Sequence, residues 1–219
     1  SHAHSSSLRG AKQDSFAGPL SVTLASTEVT AGCNIVILAT PVSTLEGVVR
    51  AIAPHLRPGA LVMDVGSVKV GPTNIMLKGL PDHVDIVATH PLFGPQSARN
   101  GIAGMKIAIC PVRGTQALRI GAFLRKQLAL DVIMTTPEDH DRDAAMVQGL
   151  THLIAKVLVQ MEPLPTRMTT KSFDRIMQAV GMVRHDAPEG FHAIERANDL
   201  GTQICQRVLE REGKLNEEH

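Results

Sequence analysis

Five short apolar runs set the rhythm of the chain: "CNIVILATP" (33–41), "GALVMDVGS" (59–67), "HVDIVATHP" (83–91), "MKIAICP" (105–111) and "LDVIMTTP" (130–137). Each is continuously apolar rather than alternating, which predicts strands buried on both faces. Between them, "PVSTLEGVVRAIAPHL" carries Leu45, Val48, Val49 and Ile52 at helical spacing, and "TQALRIGAFLRKQLA" reads as a second helix. Strands alternating with helices predict an α/β layered domain with a sheet that is at least partly parallel. Ligands of such sheets sit at the carboxyl ends of the strands. Thr40-Pro41, Gly66-Ser67 and His90-Pro91 all occupy such ends and are expected to converge on one crevice.

After Thr136 the pattern changes. "PEDHDRDAAMVQGLTHLIAKVLVQM" opens with a proline and acids, which suit a helix start. Val147, Leu150, Ile154, Val157, Leu158 and Met161 then form one apolar stripe with a 3.6-residue period. "TTKSFDRIMQAVGMV" and "APEGFHAIERANDLGTQICQRVLERE" are also helical in pattern, and no further strand is expected. The chain therefore divides into an α/β unit, residues 1–136, and an all-α unit, residues 137–219. About three helices make a thin core, so the second unit is expected to pack on a partner subunit.

Composition narrows the choice of function. The 219 residues are 43% apolar and 20% charged, ordinary for a globular protein. A formal net charge of +1 gives no electrostatic reason for a nucleic-acid or anionic-membrane partner. No apolar run reaches the roughly 20 residues of a membrane span. Trp and Tyr are absent, which removes the usual stacking platforms for single-stranded nucleic acid. Cys33, Cys110 and Cys205 are widely spaced and read as buried thiols of a reducing, cytoplasmic compartment. The polar stretch before Phe16 has no period and lacks acids until Asp14. An expression scar, a disordered lead or the end of a plastid-type transit segment would each look so.

Four stretches carry candidate chemistry. "DVGSVK" (64–69) is a strand end, a tight glycine turn, then Ser67 and Lys69 entering a helix. Ser67 suits either simple N-capping, with Lys69 solvated, or an anion or polar ring edge at a helix start. "HPLFGP" (90–95) places His90 at a strand tip before a fixed proline turn, with Phe93 able to exclude water. That histidine either bonds backbone or serves as a general acid–base. His152 shares a helical face with Asp141, Ala145 and Gln148, which reads as a solvated polar face or, alternatively, a second pocket wall. Lys171 and Arg175, four apart, are a surface basic pair or a carboxylate clamp. The acids of "HDRD" (140–143) point to different helix faces, which argues against a metal site.

Taken together, "VILATP", "DVGSVK", "THPLFGP" and "EDHD…QGLTH" resemble the prephenate/arogenate dehydrogenase family of tyrosine synthesis in order and spacing, well over about residues 30–160. The resemblance implies a Rossmann-like dinucleotide-binding domain followed by a helical dimerisation domain, and NAD- or NADP-dependent oxidative decarboxylation of prephenate or arogenate. It implies that His90 accepts the 4-hydroxyl proton, with Ser67 as its partner near the nicotinamide. It also implies His152 and Arg175 on the substrate side, and Thr40, Pro41, Val42, Ser67 and Lys69 beside the cofactor. Gln96 stands where some members carry a glutamate, which bears on substrate preference.

One departure stands out: no G-x-G-x-x-G occurs in the chain. The first strand, the glycine turn and the first helix of a dinucleotide fold, which cradle the diphosphate, are therefore expected to be missing from this stretch of sequence. "LSVTL" (20–24) or the run from residue 33 corresponds to a later point in that fold, and its sheet edge should lack a neighbour. Two rivals are a related 6-phosphogluconate or β-hydroxyacid dehydrogenase, for which Lys156 is the candidate catalytic lysine, and a non-catalytic dimerising remnant.

Overall fold

A computed structural model describes residues 24–183. "LSVTL" lies outside them except for Leu24, which is exposed and in no regular element; Cys205 and the helix expected beyond residue 187 also lie outside. Five strands form one sheet in sequence order: β1 (Ile35–Leu38), β2 (Leu61–Asp64), β3 (Asp85–Pro91), β4 (Lys106–Arg113) and β5 (Asp131–Met134). The pairs β1–β2, β2–β3 and β4–β5 are parallel, whereas β4 runs antiparallel to β3. The five expected strands are all present, with ends trimmed by turn residues.

Helices connect them where the apolar spacing placed them. The short α1 (Thr27–Ala31) is capped by Ser26, whose hydroxyl accepts from the Val29 N–H. Next, α2 (Val42–Ile52) buries Leu45, Val49 and Ile52. After β2, α3 (Val70–Gly79) buries Pro72, Thr73 and Met76. Between β4 and β5, α4 (Gln116–Leu128) turns Ala117 and Gly121 inward. Continuous apolar strands permit a core on each face of the sheet. One core joins Val36, Leu38, Val62, Ile86 and Ala88 to α2 and Met76. The other joins Leu61, Met63, Val87, Ile107 and Ile109 to Ala117 and Val132.

Beyond the sheet, α5 (Pro137–Ala144) starts at Thr136, whose hydroxyl accepts from the Asp139 N–H at 3.1 Å. A π-helical turn, Ala145–Gly149, joins it to α6 (Leu150–Gln160), and α7 (Lys171–Val183) packs on α6. The orientation of this helical run corrects two expectations. The stripe of Val147, Ile154, Val157 and Met161 is largely exposed, and the face of Asp141 and Ala145, which pattern alone marks as solvated, is the buried one. Cys33 is also exposed rather than buried, while Cys110 is in the core.

Among the described residues β1 is the sheet edge. Its Ile35 and Ile37 are more than half exposed and line, with Leu61, Met63 and Phe123, a cavity of about 540 Å³. The central strands carry the stability. Ile86, fully buried in β3, when changed to Ala should cost about 2–5 kcal/mol through lost burial and a residual cavity. Urea unfolding should show a lower midpoint with an unchanged slope; an unchanged midpoint would place the core elsewhere.

Candidate active site

The parallel register brings the three expected strand tips level. Leu38 pairs with Asp64, and Asp64 with Ala88. Two residues further along each strand lie Thr40, Gly66 and His90. Thr40 and Pro41 are exposed at the start of α2, whose first turn has no side-chain cap. Val42 and Ser67 are half-buried, and Gln96 is exposed at the start of a short 3₁₀ turn, Ser97–Asn100. The loop folds as it does because Gly66 donates its N–H back to Asp64 Oδ2 at 3.0 Å. A side chain there would lie within 3.2 Å of that oxygen.

Lys69 is the largest departure from the sequence reading. It is neither solvated nor free to reach a cofactor: it is completely buried, and its ammonium donates to Asp64 Oδ2 and, at 2.6 Å, to the Thr89 carbonyl. Asp64 also accepts from the Thr89 N–H at 3.3 Å, and its own carbonyl accepts from the Thr89 hydroxyl. Burial pushes the Asp64 carboxyl up and the Lys69 ammonium down from their ordinary values, each partly held back by the other's charge. The pair clamps Thr89, the residue before His90.

Ser67 is not the cap of α3 either. The helix begins at Val70, and its first N–H groups are met from 72 residues away in sequence: Asp141 Oδ1 accepts from Lys69 N at 2.7 Å. Its Oδ2 accepts from Val70 N at 2.9 Å. Burial works against the charge on Asp141, but hydrogen bonds from His140 and from the Val70 and Lys69 N–H groups outweigh it. The carboxyl is therefore held below the ordinary aspartate value. His140 Nδ1 lies 2.8 Å from Asp141 Oδ1, and His140 Nε2 lies 2.9 Å from His90 Nδ1. The two rings meet edge to face, with centroids 5.1 Å apart. A continuous chain thus runs from α5 to the tip of β3: Asp141, His140, His90.

His90 is buried, and burial first, then the charges of His140 and Lys69, push its pKa down to about 3; Asp141 opposes them. It is therefore neutral, with a lone pair available, at ordinary pH. Cys110 is no competing nucleophile, because burial raises its thiol to about 12. Gln148 and His152 are half-buried on the inward side of the helical run, and Gln148 Oε1 is buried with no hydrogen-bond partner among the described residues. Arg175 and Lys171 are exposed on α7 and are not joined to the His90 cluster by any hydrogen bond described here. Among the described residues no group of His, Cys, Asp or Glu is arranged to hold a metal.

Asp64, Thr89, His140 and Asp141 were not singled out from sequence as site residues. The usable signal was in "HDRDAA": the small Ala144 and Ala145 mark the side of the helix that approaches other backbone, and His140 and Asp141 lie on that side.

Two consequences are measurable. Removing one partner of the buried pair, as in Lys69→Met, should cost about 3–5 kcal/mol, and Asp64→Leu/Lys69→Met together should recover most of it. Equal losses in single and double variants in urea unfolding would deny the pair its role. For His90, the unfolded imidazole takes a proton below about 6.5 and the folded one only near 3. Stability should therefore fall as pH drops through that window, by about 2 kcal/mol between pH 7 and 5. His90→Asn should flatten that dependence; identical pH dependence in variant and parent would contradict the shift.

Comparison with known proteins places the chain in a family. The family model described as "Prephenate dehydrogenase, nucleotide-binding domain" matches residues 17–128. A probable arogenate/prephenate dehydrogenase of Methanocaldococcus jannaschii is 37% identical over 123 residues, 54% of this chain and 27% of that protein. Arogenate dehydrogenase 2, chloroplastic, of Arabidopsis thaliana is 29% identical over 182 residues, 80% of this chain and 51% of that protein. The chain thus spans about half or less of the curated relatives it matches. Prephenate dehydrogenase of Aquifex aeolicus, solved with hydroxyphenyl propionate and NAD+, shares the fold with a TM-score of 0.69 at 20% identity, covering 89% of this chain and 72% of that one. With its strand tips, its buried histidine and a match over half its length, the chain belongs to the prephenate dehydrogenase family through its nucleotide-binding domain.

Proposed function

We propose that this chain takes part in NAD(P)-dependent oxidative decarboxylation of prephenate or arogenate, with His90 as the group that accepts the 4-hydroxyl proton. The observation that carries the reading is a neutral, buried histidine at a strand tip, level with Thr40 and the Ser67 loop, in a chain of this family.

The residues at the crevice suit the nicotinamide half of a dinucleotide. Thr40, Pro41 and Val42 start α2, whose first N–H groups have no side-chain acceptor, and Ser67 adds a hydroxyl beside them. When bound, the nicotinamide supplies the hydride acceptor. The chain then has three tasks. Ser67 and His90 orient the ring hydroxyl; His90 takes its proton as the C–H hydride departs; and the burial of His90 keeps bulk water from it. The ring carbon becomes a carbonyl, the ring carboxylate leaves as CO₂, its bonding pair makes the ring aromatic and the oxygen a phenolate, and the proton held by His90 returns to that oxygen.

We assign His152, on the inward side of α6, to the wall of the substrate pocket, with Gln96 at its rim. Arg175 is the candidate for the substrate carboxylate. Lys69 is withdrawn from the cofactor set, since its ammonium is buried and donates to Asp64 and Thr89. The helical segment from residue 137 is read as a dimerisation unit, supported by the exposed apolar stripe of Val147, Val157 and Met161. No helix among the described residues is long and apolar enough to cross a membrane, and we read the setting as the cytoplasm or a plastid. A β-hydroxyacid dehydrogenase would need Lys156 at the chemistry, yet it is exposed on α6.

The test is turnover of prephenate and arogenate, each with NAD and NADP, followed by reduced-nicotinamide absorbance. The protein should carry any residues its gene encodes ahead of Ser1, and His90→Asn should run beside it. One substrate–cofactor pair should turn over, and the variant should lose about 10²-fold or more in kcat. Cofactor binding without turnover of either substrate would reject the substrate class; no cofactor binding would favour a non-catalytic dimerising protein.

A further inference from the structure

Three groups in a row decide which nitrogen of His90 carries its hydrogen. Asp141 is held ionised by two backbone N–H groups and by His140, so it can only accept. The His140 Nδ1, 2.8 Å away, must therefore donate to it. With His140 uncharged, its other nitrogen is then an acceptor. His140 Nε2 faces His90 Nδ1 at 2.9 Å, so His90 Nδ1 must supply the hydrogen. That leaves His90 Nε2, which has no protein partner among the described residues, as the lone-pair nitrogen.

We propose that His140 and Asp141 are positioning residues that lock His90 as its Nδ1–H tautomer, so that Nε2 is the nitrogen presented to a hydroxyl donor. This rests on the function proposed above for the identity of the donor, but the tautomer itself does not. The lock works across elements: His90 is on β3, whereas His140 and Asp141 are on α5 and are anchored to the start of α3. When Nε2 takes a proton, the new charge is shared along Nδ1–H to His140 and is met by the Asp141 carboxylate. No atom needs to leave the row, because Nδ1–H already points at its acceptor. The titratable and charged groups that face His90 are Lys69 from the start of α3 and His140 and Asp141 from α5. A proton placed on His140 instead would reverse the row, turning His90 Nε2 into a donor and ending its service as a base.

The alternative is that His140 merely packs against His90. Two substitutions separate the possibilities. His140→Gln keeps an acceptor oxygen near the position of Nε2. His140→Phe keeps the ring volume and removes the acceptor.

The experiment is long-range ¹H–¹⁵N correlation spectroscopy of the 219-residue chain labelled at histidine, with His90 assigned by its absence in His90→Asn. The parent should show a protonated Nδ1 and an unprotonated Nε2 for His90. His140→Gln should keep that pattern and His140→Phe should lose it, with Nε2–H appearing. An Nε2–H tautomer in the parent overturns the proposal even if neither variant folds; so does an unchanged tautomer in a folded His140→Phe. Where the chain turns over its substrate, His140→Phe should lower kcat by about 10²-fold with KM within about twofold, and His140→Gln should recover at least about tenfold. The expected tautomer without turnover would fault only the proposed function. Turnover with the other tautomer would fault only this inference.

Discussion

Lys69 is held at both ends, and the rest of the site is built outward from it. Its ammonium, wholly buried, ties β2 to β3 through Asp64 and the Thr89 carbonyl. Its backbone N–H ties α3 to α5 through Asp141. A lone ammonium in such surroundings would be strongly disfavoured, so its burial requires a complete set of acceptors in fixed places. Those requirements transmit position: Thr89 is pinned and His90 follows it by one residue; Asp141 is pinned and His140 precedes it by one. The two histidines can meet at 2.9 Å because each is the covalent neighbour of a residue anchored by the same lysine.

The fold and the strand-tip residues were legible because they follow from local rules. Continuous apolar runs predict doubly covered strands, and parallel strands predict that Thr40, Ser67 and His90 share an edge. The antiparallel β4 was not legible, since an apolar run says nothing of strand direction. Lys69 was misread because a lysine is ordinarily exposed, and only the distant Thr89 and the neighbouring Asp64 reveal its burial. Ser67 was read as a possible cap because its position fits; the true cap is a carboxylate 72 residues on from Lys69, which no local pattern can supply. The helix 137–160 was read inside out for a related reason. Pattern reading assigns the apolar stripe to the core, but here His140, Asp141, Ala144 and Ala145 are buried while Val147, Ile154, Val157 and Met161 are exposed.

That inversion has a physical logic. A helix that walls a polar site must present residues such as His140 and Asp141 toward His90 and the start of α3, with small residues such as Ala144 and Ala145 to let it approach. The hydrophobic residues needed to stabilise the helix then have only the outer face, where they require another surface to bury them. The chemistry placed on the inner face and the association proposed for the outer face are thus two sides of one sequence constraint.

The placement of charge bears on the role proposed for His90 as a base. Asp64 and Lys69 sum to zero whether the pair is ionised or has exchanged its proton. Asp141 adds a carboxylate two rings away from His90 Nε2. The N–H groups at the start of α3 stabilise that charge but do not cancel it. Burial keeps His90 unprotonated before reaction, which is the state a base needs. A proton taken up by His90 would be met by that carboxylate through His140 rather than stand as an isolated cation in a low-dielectric interior. The same burial that makes His90 reluctant to hold a proton in the resting site makes the Asp141 charge, two rings away, effective at the moment the proton arrives.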